Sequence, residues 1–225
     1  MLPLLSVRPW QPPKSRVPNP HSAGTRRGAV VARPINLDRR REVLDATIDH
    51  LARTGISQFT LRGIAEALGQ STRVLTHHFA DKRELLTAVV LRLDERQHEE
   101  LRSTTGWADL EVPVSRVVRS AWARNLSPAE RSMTSLIREI EGLAAAGRLP
   151  GSVTNFVRGR SEFVASCLTL RGMSAADALV TATLLNSAFA GLQADYLTTG
   201  DQGRAEAALD ELCLWLDARC GTADN

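Results

Sequence analysis

Four consecutive polar residues, Gln70, Ser71, Thr72 and Arg73, stand between two short apolar segments of the sequence. Amide, hydroxyl and guanidinium groups at the leading end of a short helix are the groups that hydrogen-bond to base edges in the major groove of DNA. The sequence shows no nucleophile with a base and an orienting group, no glycine-rich phosphate loop and no metal-ligand spacing. The pattern therefore predicts contact with duplex DNA, no enzymatic activity and no cofactor.

Two short predicted helices position these polar residues within the segment LRGIAEALGQSTRVLTHHF, residues 61–79. Thr60 can cap the first helix, Gly69 breaks the chain, and Ser71 can cap the second helix. Two short helices around a glycine at a tight turn are typical of a helix-turn-helix. The residues predicted to form its core are Ile64, Ala65, Leu68, Leu75 and Phe79, and Val74 is the remaining apolar residue of the second helix.

A histidine pair, His77 and His78, lies close in sequence to Asp81 and Glu84, and these residue types can ligate a metal ion. Adjacent residues on one helix point about 100° apart, so the two imidazoles chelate poorly. We therefore predict no metal site here. His78 is instead expected to be a packed or capping residue.

Length and composition limit the class of protein. The chain has 225 residues, of which 43% are hydrophobic and 24% charged, which is ordinary for a globular protein. No stretch approaches the roughly 18 consecutive apolar residues of a membrane span, so no such span is expected. The three cysteines form no Cys-x-x-Cys motif, so we expect reduced thiols and a cytoplasmic location.

The first part of the chain differs from the rest in composition. Residues 1–34 contain seven of the ten prolines, and residues 1–37 contain six basic and no acidic residues. No helical or strand period survives such proline spacing, so residues 1–34 are predicted to be a disordered extension. We expect a passive tail, an over-extended start or a basic arm that attracts phosphate. A transit peptide fits the basic, acid-free composition but not the prolines.

From Asp38 onward the apolar residues follow a helical period, and about nine helices are predicted. We expect an all-α fold, with a three-helix helix-turn-helix domain at 35–80 and a helical ligand-binding and dimerisation domain at 81–225. The fifth helix is expected over about 109–126. Ser127 with Pro128 and Glu130 predicts the start of the sixth helix.

Residues 40–90 resemble the DNA-binding domain of the TetR (tetracycline-repressor) family over about fifty residues. The resemblance rests on the apolar stripe of the first helix, the break at Gly55 and the end at His78-Phe79. It rests further on Thr60-x-Arg62-x-Ile64-Ala65, on Leu68-Gly69 and on Lys82 followed by Leu85-Leu86.

The resemblance implies a set of DNA contacts. Thr60 and Arg62 would touch phosphate or the groove edge, and the leading residues of the second helix would approach the bases. Two positions depart from the family pattern, since Thr76 replaces a common Tyr and Arg73 replaces a common small Gly. The complete set of predicted DNA contacts is Thr60, Arg62, Gln70, Ser71, Thr72, Arg73, Thr76, His77 and Lys82.

The predicted effector site is an apolar pocket in the C-terminal part, which is the usual form of a ligand site. Trp122 and Phe163 are the preferred pair, and Arg119 lies one turn before Trp122. Aromatic residues at helical spacing also serve as plain core. The predicted ligand-binding residues are Arg119, Trp122, Met133, Phe156 and Phe163, and the same helices also carry Arg138.

The last two helices are rich in small and apolar residues, which suits close packing against a partner. The resemblance implies a homodimer through these helices. Its two helix-turn-helix domains would bind a pseudo-palindromic operator. We expect a bacterial regulator, a repressor released by a small-molecule ligand. The alternatives are a DNA-binding protein controlled by a protein partner, and a helical interaction module.

Overall fold

The computed structural model describes residues 37–104, 106–107, 109–149 and 154–221, without the side chains of 154–156. The predicted extension at 1–34 and the side chain of Phe156 lie outside the described residues. Nine α-helices and one 3₁₀ turn make up this part of the chain, and it contains no strand, which confirms the all-α fold class. The helices are α1 (Leu37–Thr54), α2 (Leu61–Ala67), α3 (Thr72–His78), α4 (Lys82–Ser103), α5 (Val114–Asn125), α6 (Arg131–Ala145), α7 (Thr154–Leu170), α8 (Ala175–Thr199) and α9 (Gln202–Cys220).

The first helix follows from its apolar spacing. Val43, Leu44, Ile48 and Leu51 share one face of α1 and are buried. The helix ends at Gly55, whose φ of 78° is a left-handed backbone conformation that glycine adopts without strain. The 3₁₀ turn Ile56–Gln58 then leads to α2.

Two hydrophobic clusters hold the described helices together. The first cluster takes its buried residues from α1 to α4 and from α6, through Leu136, Ile137 and Ile140. The second cluster is built from α5 and α7 to α9, together with Trp107. Helix α6 therefore packs on the N-terminal helices, although it lies far from them in sequence. The predicted domain boundary at residue 80 stays a prediction.

Two helices start later than expected. Helix α5 begins at Val114, not near 109, because Pro113 immediately precedes it. Helix α6 begins at Arg131, one turn after the predicted start at Ser127. The Ser127 side chain does accept a hydrogen bond from the Glu130 amide, at 3.3 Å, so the capping residues form a turn that leads into the helix.

Within the described residues, helix α8 is long and apolar enough to cross a membrane by length and composition alone. This differs from the expectation drawn from the sequence, because many alanines raise the mean hydropathy without forming a run of large apolar side chains. One face of α8, with Ala178, Ala182 and Leu185, is buried in the second cluster. The opposite face carries Val180 and Leu184, which are 64% and 51% exposed.

Candidate nucleic-acid interface and internal cavity

The turn between α2 and α3 has a defined hydrogen-bond pattern. The Gln70 amide donates to the Ala65 carbonyl at 2.8 Å, and the Gly69 amide donates to the Glu66 carbonyl at 3.0 Å. This pair of bonds is the Schellman motif, which requires a left-handed residue after the helix, and Gly69 has φ of 62°. No atom lies within 4 Å of the position that a Cβ on Gly69 would take. The glycine is therefore required by the backbone conformation and not by lack of space.

Helix α3 is held by few residues and exposes the others. Leu75 within the helix and Phe79 at its C-cap are fully buried. They pack in the first cluster with Ile64 and Ala65 of α2. The exposed polar side chains at the start and along the outer side of α3 are Ser71, Thr72, Arg73, Thr76 and His77. The apolar side chain of Val74 is also exposed, at 39%. The structure thus presents five of the nine predicted DNA contacts together on one short helix.

Three further predicted contacts flank this helix. The Thr60 side chain caps α2 by accepting a hydrogen bond from the Gly63 amide at 3.0 Å, and it is exposed together with Arg62. Lys82 is the first residue of α4, and its ammonium lies 5.6 Å from the centre of the Phe59 ring. Asp81 caps α4 as predicted, by accepting a hydrogen bond from the Glu84 amide at 2.7 Å.

Gln70 is the predicted contact that the structure leaves least accessible. Its side chain is half-buried, and its Oε1 is buried without a hydrogen-bond partner among the described residues. Ser71 occupies the N-cap position of α3, but its hydroxyl makes no capping hydrogen bond. The hydroxyl of Ser71 is therefore better placed than the Gln70 amide to reach another molecule. All nine DNA contacts stay predictions.

His78 is half-buried beside Phe79, with ring centres 6.3 Å apart, in agreement with its predicted packing role. Burial lowers the pKa of His78, and the nearby charges of His77, Arg40 and Arg39 lower it further. His78 therefore adds no positive charge to this surface at neutral pH. Arg39 and Arg40 are basic residues close to α3 that the sequence reasoning missed, although the run Arg39-Arg40-Arg41 was a visible signal.

An internal cavity of about 90 Å³ lies among helices α4 to α8. Its apolar lining includes Trp107, Ile137 and Phe189, and its polar lining includes Asn186 and Gln193. Gln193 is only 2% exposed, which is unusual for an amide side chain on an apolar helix. This combination of apolar walls and a few buried polar groups is the usual form of a ligand site.

Charged residues from two helices meet at the wall of this cavity. Glu141 of α6 lies 2.9 Å from Nη1 of Arg138 and 2.5 Å from Nη2 of Arg160 on α7. The Arg138 side chain is 12% exposed, and both Arg138 and Arg160 line the cavity. Burial lowers the pKa of Arg138 to about 10, Glu141 opposes this shift and Arg160 adds to it. Arg138 thus remains charged at neutral pH.

Among the candidate residues with described side chains, Arg138 lines the cavity, whereas Arg119, Trp122, Met133 and Phe163 are not in its lining. Arg119 forms an ion pair with Asp210 of α9 and is exposed. Trp122 is buried behind the wall, edge-on to Phe189 with ring centres 5.7 Å apart. Met133 and Phe163 pack against the first and second clusters, respectively. The ligand role of these residues stays a prediction, and the side chain of Phe156 is not described.

Residues 43–89 match the family model described as bacterial regulatory proteins, tetR family. This match covers α1 to α3 and the first part of α4, which are the helices that build the candidate nucleic-acid interface. This segment of the chain is therefore of the TetR type. The TetR resemblance drawn from residues 40–90 is therefore confirmed.

The TetR-family domain is also similar to curated relatives. It is 40% identical over 52 residues to the HTH-type transcriptional regulator BetI of Klebsiella pneumoniae (strain 342). The similarity covers 23% of this chain and 27% of that protein. The match spans about a quarter of the curated relative and leaves the C-terminal helices of the chain outside it.

Solved structures extend the likeness to most of the TetR-type fold. The multidrug binding protein EbrR, complexed with imidazole, has 22% identity and a TM-score of 0.61, over 84% of this chain and 91% of that one. A TetR transcriptional regulator from Legionella pneumophila has 18% identity and a TM-score of 0.59, over 82% and 97% of the two chains. At such identities the likeness establishes the fold alone.

Proposed function

We propose that this chain is a homodimeric, cytoplasmic regulator of transcription that binds a pseudo-palindromic operator and leaves it, as a repressor does, when a small molecule binds. The observation that carries the proposal is the exposed polar surface of α3, which the buried side chains of Leu75 and Phe79 hold in place. We assign no catalytic role to the chain.

The proposed recognition of DNA bases rests on the side chains of α3. Its N-terminal residues offer two hydroxyl groups and the guanidinium of Arg73, which can pair bidentately with guanine. Thr60, Arg62 and Lys82 flank the helix and are exposed, as phosphate contacts must be. Lys82 also lies at the N-terminus of α4, where the helix dipole favours a phosphate group.

The proposed dimer rests on the two-sided apolar character of α8. Its inner face is buried in the second cluster, whereas Val180 and Leu184 on the outer face are exposed, with Leu214 of α9 63% exposed. Gly191 lies on the same outer side and has no neighbour within 4 Å of its Cβ position, so another helix can approach closely. A two-fold dimer would place two α3 helices about one turn of DNA apart.

One observation favours the alternative in which a protein partner, and not a small molecule, controls DNA binding. The cavity of about 90 Å³ is smaller than the roughly 300–1,000 Å³ of ordinary ligand pockets. A ligand must therefore be small, extend through the mouth of the cavity or displace the helices. The buried charged side chains at its wall still favour a small molecule. A buried ion pair adds little to the stability of the fold, because its desolvation offsets its attraction.

The test is footprinting of purified full-length protein on the DNA upstream of its own coding region. We expect a protected pseudo-palindrome with half-site centres about 10 base pairs, or a multiple of this, apart. Affinity should fall steeply with salt, because each phosphate contact releases counterions. If no duplex is protected at low ionic strength, the proposal is wrong.

A further inference from the structure

An apolar side chain, Val74, lies on the outer side of α3 between polar neighbours. Val74 is 39% exposed, whereas the next residue, Leu75, is fully buried. Arg73 before it and Thr76 and His77 after it are exposed. The structure therefore places one apolar group within the row of hydrogen-bonding side chains that is proposed to face DNA.

An exposed valine does little for the stability of α3. The helix has seven residues, and the buried side chains that hold it are Leu75 and Phe79. β-branched residues lose side-chain freedom in a helix, so alanine, lysine or glutamine at this position would favour the helix more. The exposed part of Val74 also leaves apolar surface in contact with water. A contact outside the fold explains a valine at this position better than the stability of α3 does.

The side chain of Val74 has a defined direction. The Val74 amide donates to the Ser71 carbonyl at 2.9 Å, which closes the first turn of α3. Valine in a helix has one strongly preferred χ1 rotamer, so its two methyl groups occupy fixed positions on the surface. Little conformational entropy is then lost when another group packs against them. Such a stiff apolar side chain suits a contact that depends on shape.

Two neighbours of Val74 on the helix surface are uncharged at neutral pH. Residues three and four apart are neighbours on a helix, so Val74 lies beside Ser71 on one side and His78 on the other. Burial lowers the pKa of His78, which keeps its ring neutral. Removal of water from this side of α3 therefore costs less than it would beside an ionised group.

Thymine is the base that offers an apolar group in the major groove. It presents its C5-methyl group there, whereas the other three bases present hydrogen-bond donors and acceptors without a methyl group. Arg73, which is proposed to pair with guanine, directly precedes Val74 in α3. An apolar side chain that enters the groove together with Arg73 therefore favours a thymine.

We propose that Val74 determines part of the operator sequence by packing its methyl groups against the C5-methyl group of a thymine in each half-site. The inference rests on the proposed binding of α3 in the major groove and adds a specificity-determining residue to it. Loss of one methyl group from the DNA, at one position of each half-site, should then weaken binding. A contact of Val74 with deoxyribose or phosphate would not depend on the base.

Replacement of thymine by uracil tests the contact, because the two bases differ only in this methyl group. Each thymine of the footprinted operator is replaced by deoxyuridine in turn, in both half-sites at once, and binding of the full-length protein is measured by fluorescence anisotropy. We expect one sensitive position, with a loss of affinity of about threefold to tenfold for each half-site, as the burial of one methyl group implies. If every uracil-containing operator binds as tightly as the unmodified one, the proposal is wrong.

Val74→Ala tests whether Val74 makes the contact. The variant should fold, because the position is exposed and alanine favours a helix. It should bind the unmodified operator more weakly and should no longer distinguish thymine from uracil at the sensitive position. The matched control is Leu91→Ala, which shortens an apolar side chain that is 44% exposed on α4 and should keep the full effect of uracil. An effect of uracil that persists unchanged at every position in Val74→Ala would overturn the proposal.

The same measurements separate this proposal from the proposed function. Operator binding that does not respond to uracil leaves DNA binding standing and overturns only the role of Val74. An affinity loss in Val74→Ala that is equal for all operators indicates a contact with the sugar-phosphate backbone and also overturns it. Absence of binding to any duplex at low ionic strength overturns both proposals.

Discussion

Glu139 of α6 accepts a hydrogen bond from the backbone amide of Ile56, with Oε2 and N 2.9 Å apart. Ile56 begins the 3₁₀ turn that leads into α2 of the helix-turn-helix. The preceding residue on α6, Arg138, lines the cavity. Two adjacent residues of α6 therefore contact the cavity and the 3₁₀ turn, respectively. A displacement of α6 by a ligand would act directly on the turn that positions α2.

Glu139→Ala should leave the partly buried Ile56 amide without its acceptor. We expect a loss of about 1–3 kcal/mol in the free energy of unfolding, the usual cost of an unsatisfied buried donor. Operator affinity should also fall, because the start of α2 loses its link to α6. Chemical denaturation and fluorescence anisotropy measure the two effects. The control is Glu130→Ala, since the Glu130 side chain at the start of α6 makes no capping hydrogen bond. Equal stability of the two variants would contradict this prediction.

Arg73→Ala should weaken operator binding by about 1–3 kcal/mol and relax the sequence preference at one base pair of each half-site. Arg73→Lys should restore part of the affinity but little of the base preference, because lysine lacks the bidentate geometry. Anisotropy with a set of single-base operator variants measures both effects. The control is Arg116→Ala, which removes an exposed arginine from α5. A uniform loss across all operator variants would assign Arg73 to phosphate and not to bases.

The N-terminal helices could be predicted from the sequence because the residues that build them are close together. Gly69, Leu75 and Phe79 lie within eleven residues, and their spacing already implies the turn and the buried side of α3. The cap of α2 by Thr60 and that of α4 by Asp81 are equally local, and both are present in the structure.

The cavity could not be predicted in the same way, because its wall joins residues that are distant in the chain. Glu141 lies 19 residues before Arg160, and its pairing with Arg160 depends on how α6 and α7 pack. The sequence predicts Arg119 as a ligand contact, but the packing of α5 against α9 places its guanidinium beside Asp210. A usable signal was Gln193 in an apolar helix, seven residues after Asn186 and thus on the same face.

Leu184→Glu, on the outer face of α8, should convert the proposed dimer into a monomer. A charge placed in an apolar helix-helix interface loses its hydration without gaining a partner, whereas on a free surface it costs little. Operator affinity should fall in parallel, because a monomer binds only one half-site. Sedimentation equilibrium measures the association.

The control for the dimer is Leu110→Glu, at an apolar residue that is 60% exposed in the segment before α5. This variant should keep the association state of the unmodified protein. If Leu184→Glu remains a dimer with unchanged affinity, the outer face of α8 is not the interface.

His98 on α4 should make the stability depend on pH. Its Nδ1 lies 2.9 Å from the Asp94 carbonyl oxygen and 3.2 Å from Asp94 Oδ1, and α7 covers the ring at Gly159. The Asp94 side chain beside the ring raises the pKa of His98 above its usual 6.5, although burial opposes this shift. The protonated form is therefore favoured in the folded state. The contribution of protonated His98 to the free energy of unfolding is complete below the unfolded-state pKa. It is lost as the pH rises through the higher folded-state pKa.

Urea denaturation of the unmodified protein and of His98→Gln, at pH values from about 5.5 to 9, measures this contribution. The difference in unfolding free energy should be greatest at the acidic end and should decline to a constant remainder at the alkaline end. Asp94→Asn removes the partner that raises the pKa, so it should flatten the same profile. An NMR titration that placed the pKa of His98 below 6.5 would contradict the prediction, since the difference would then grow with pH.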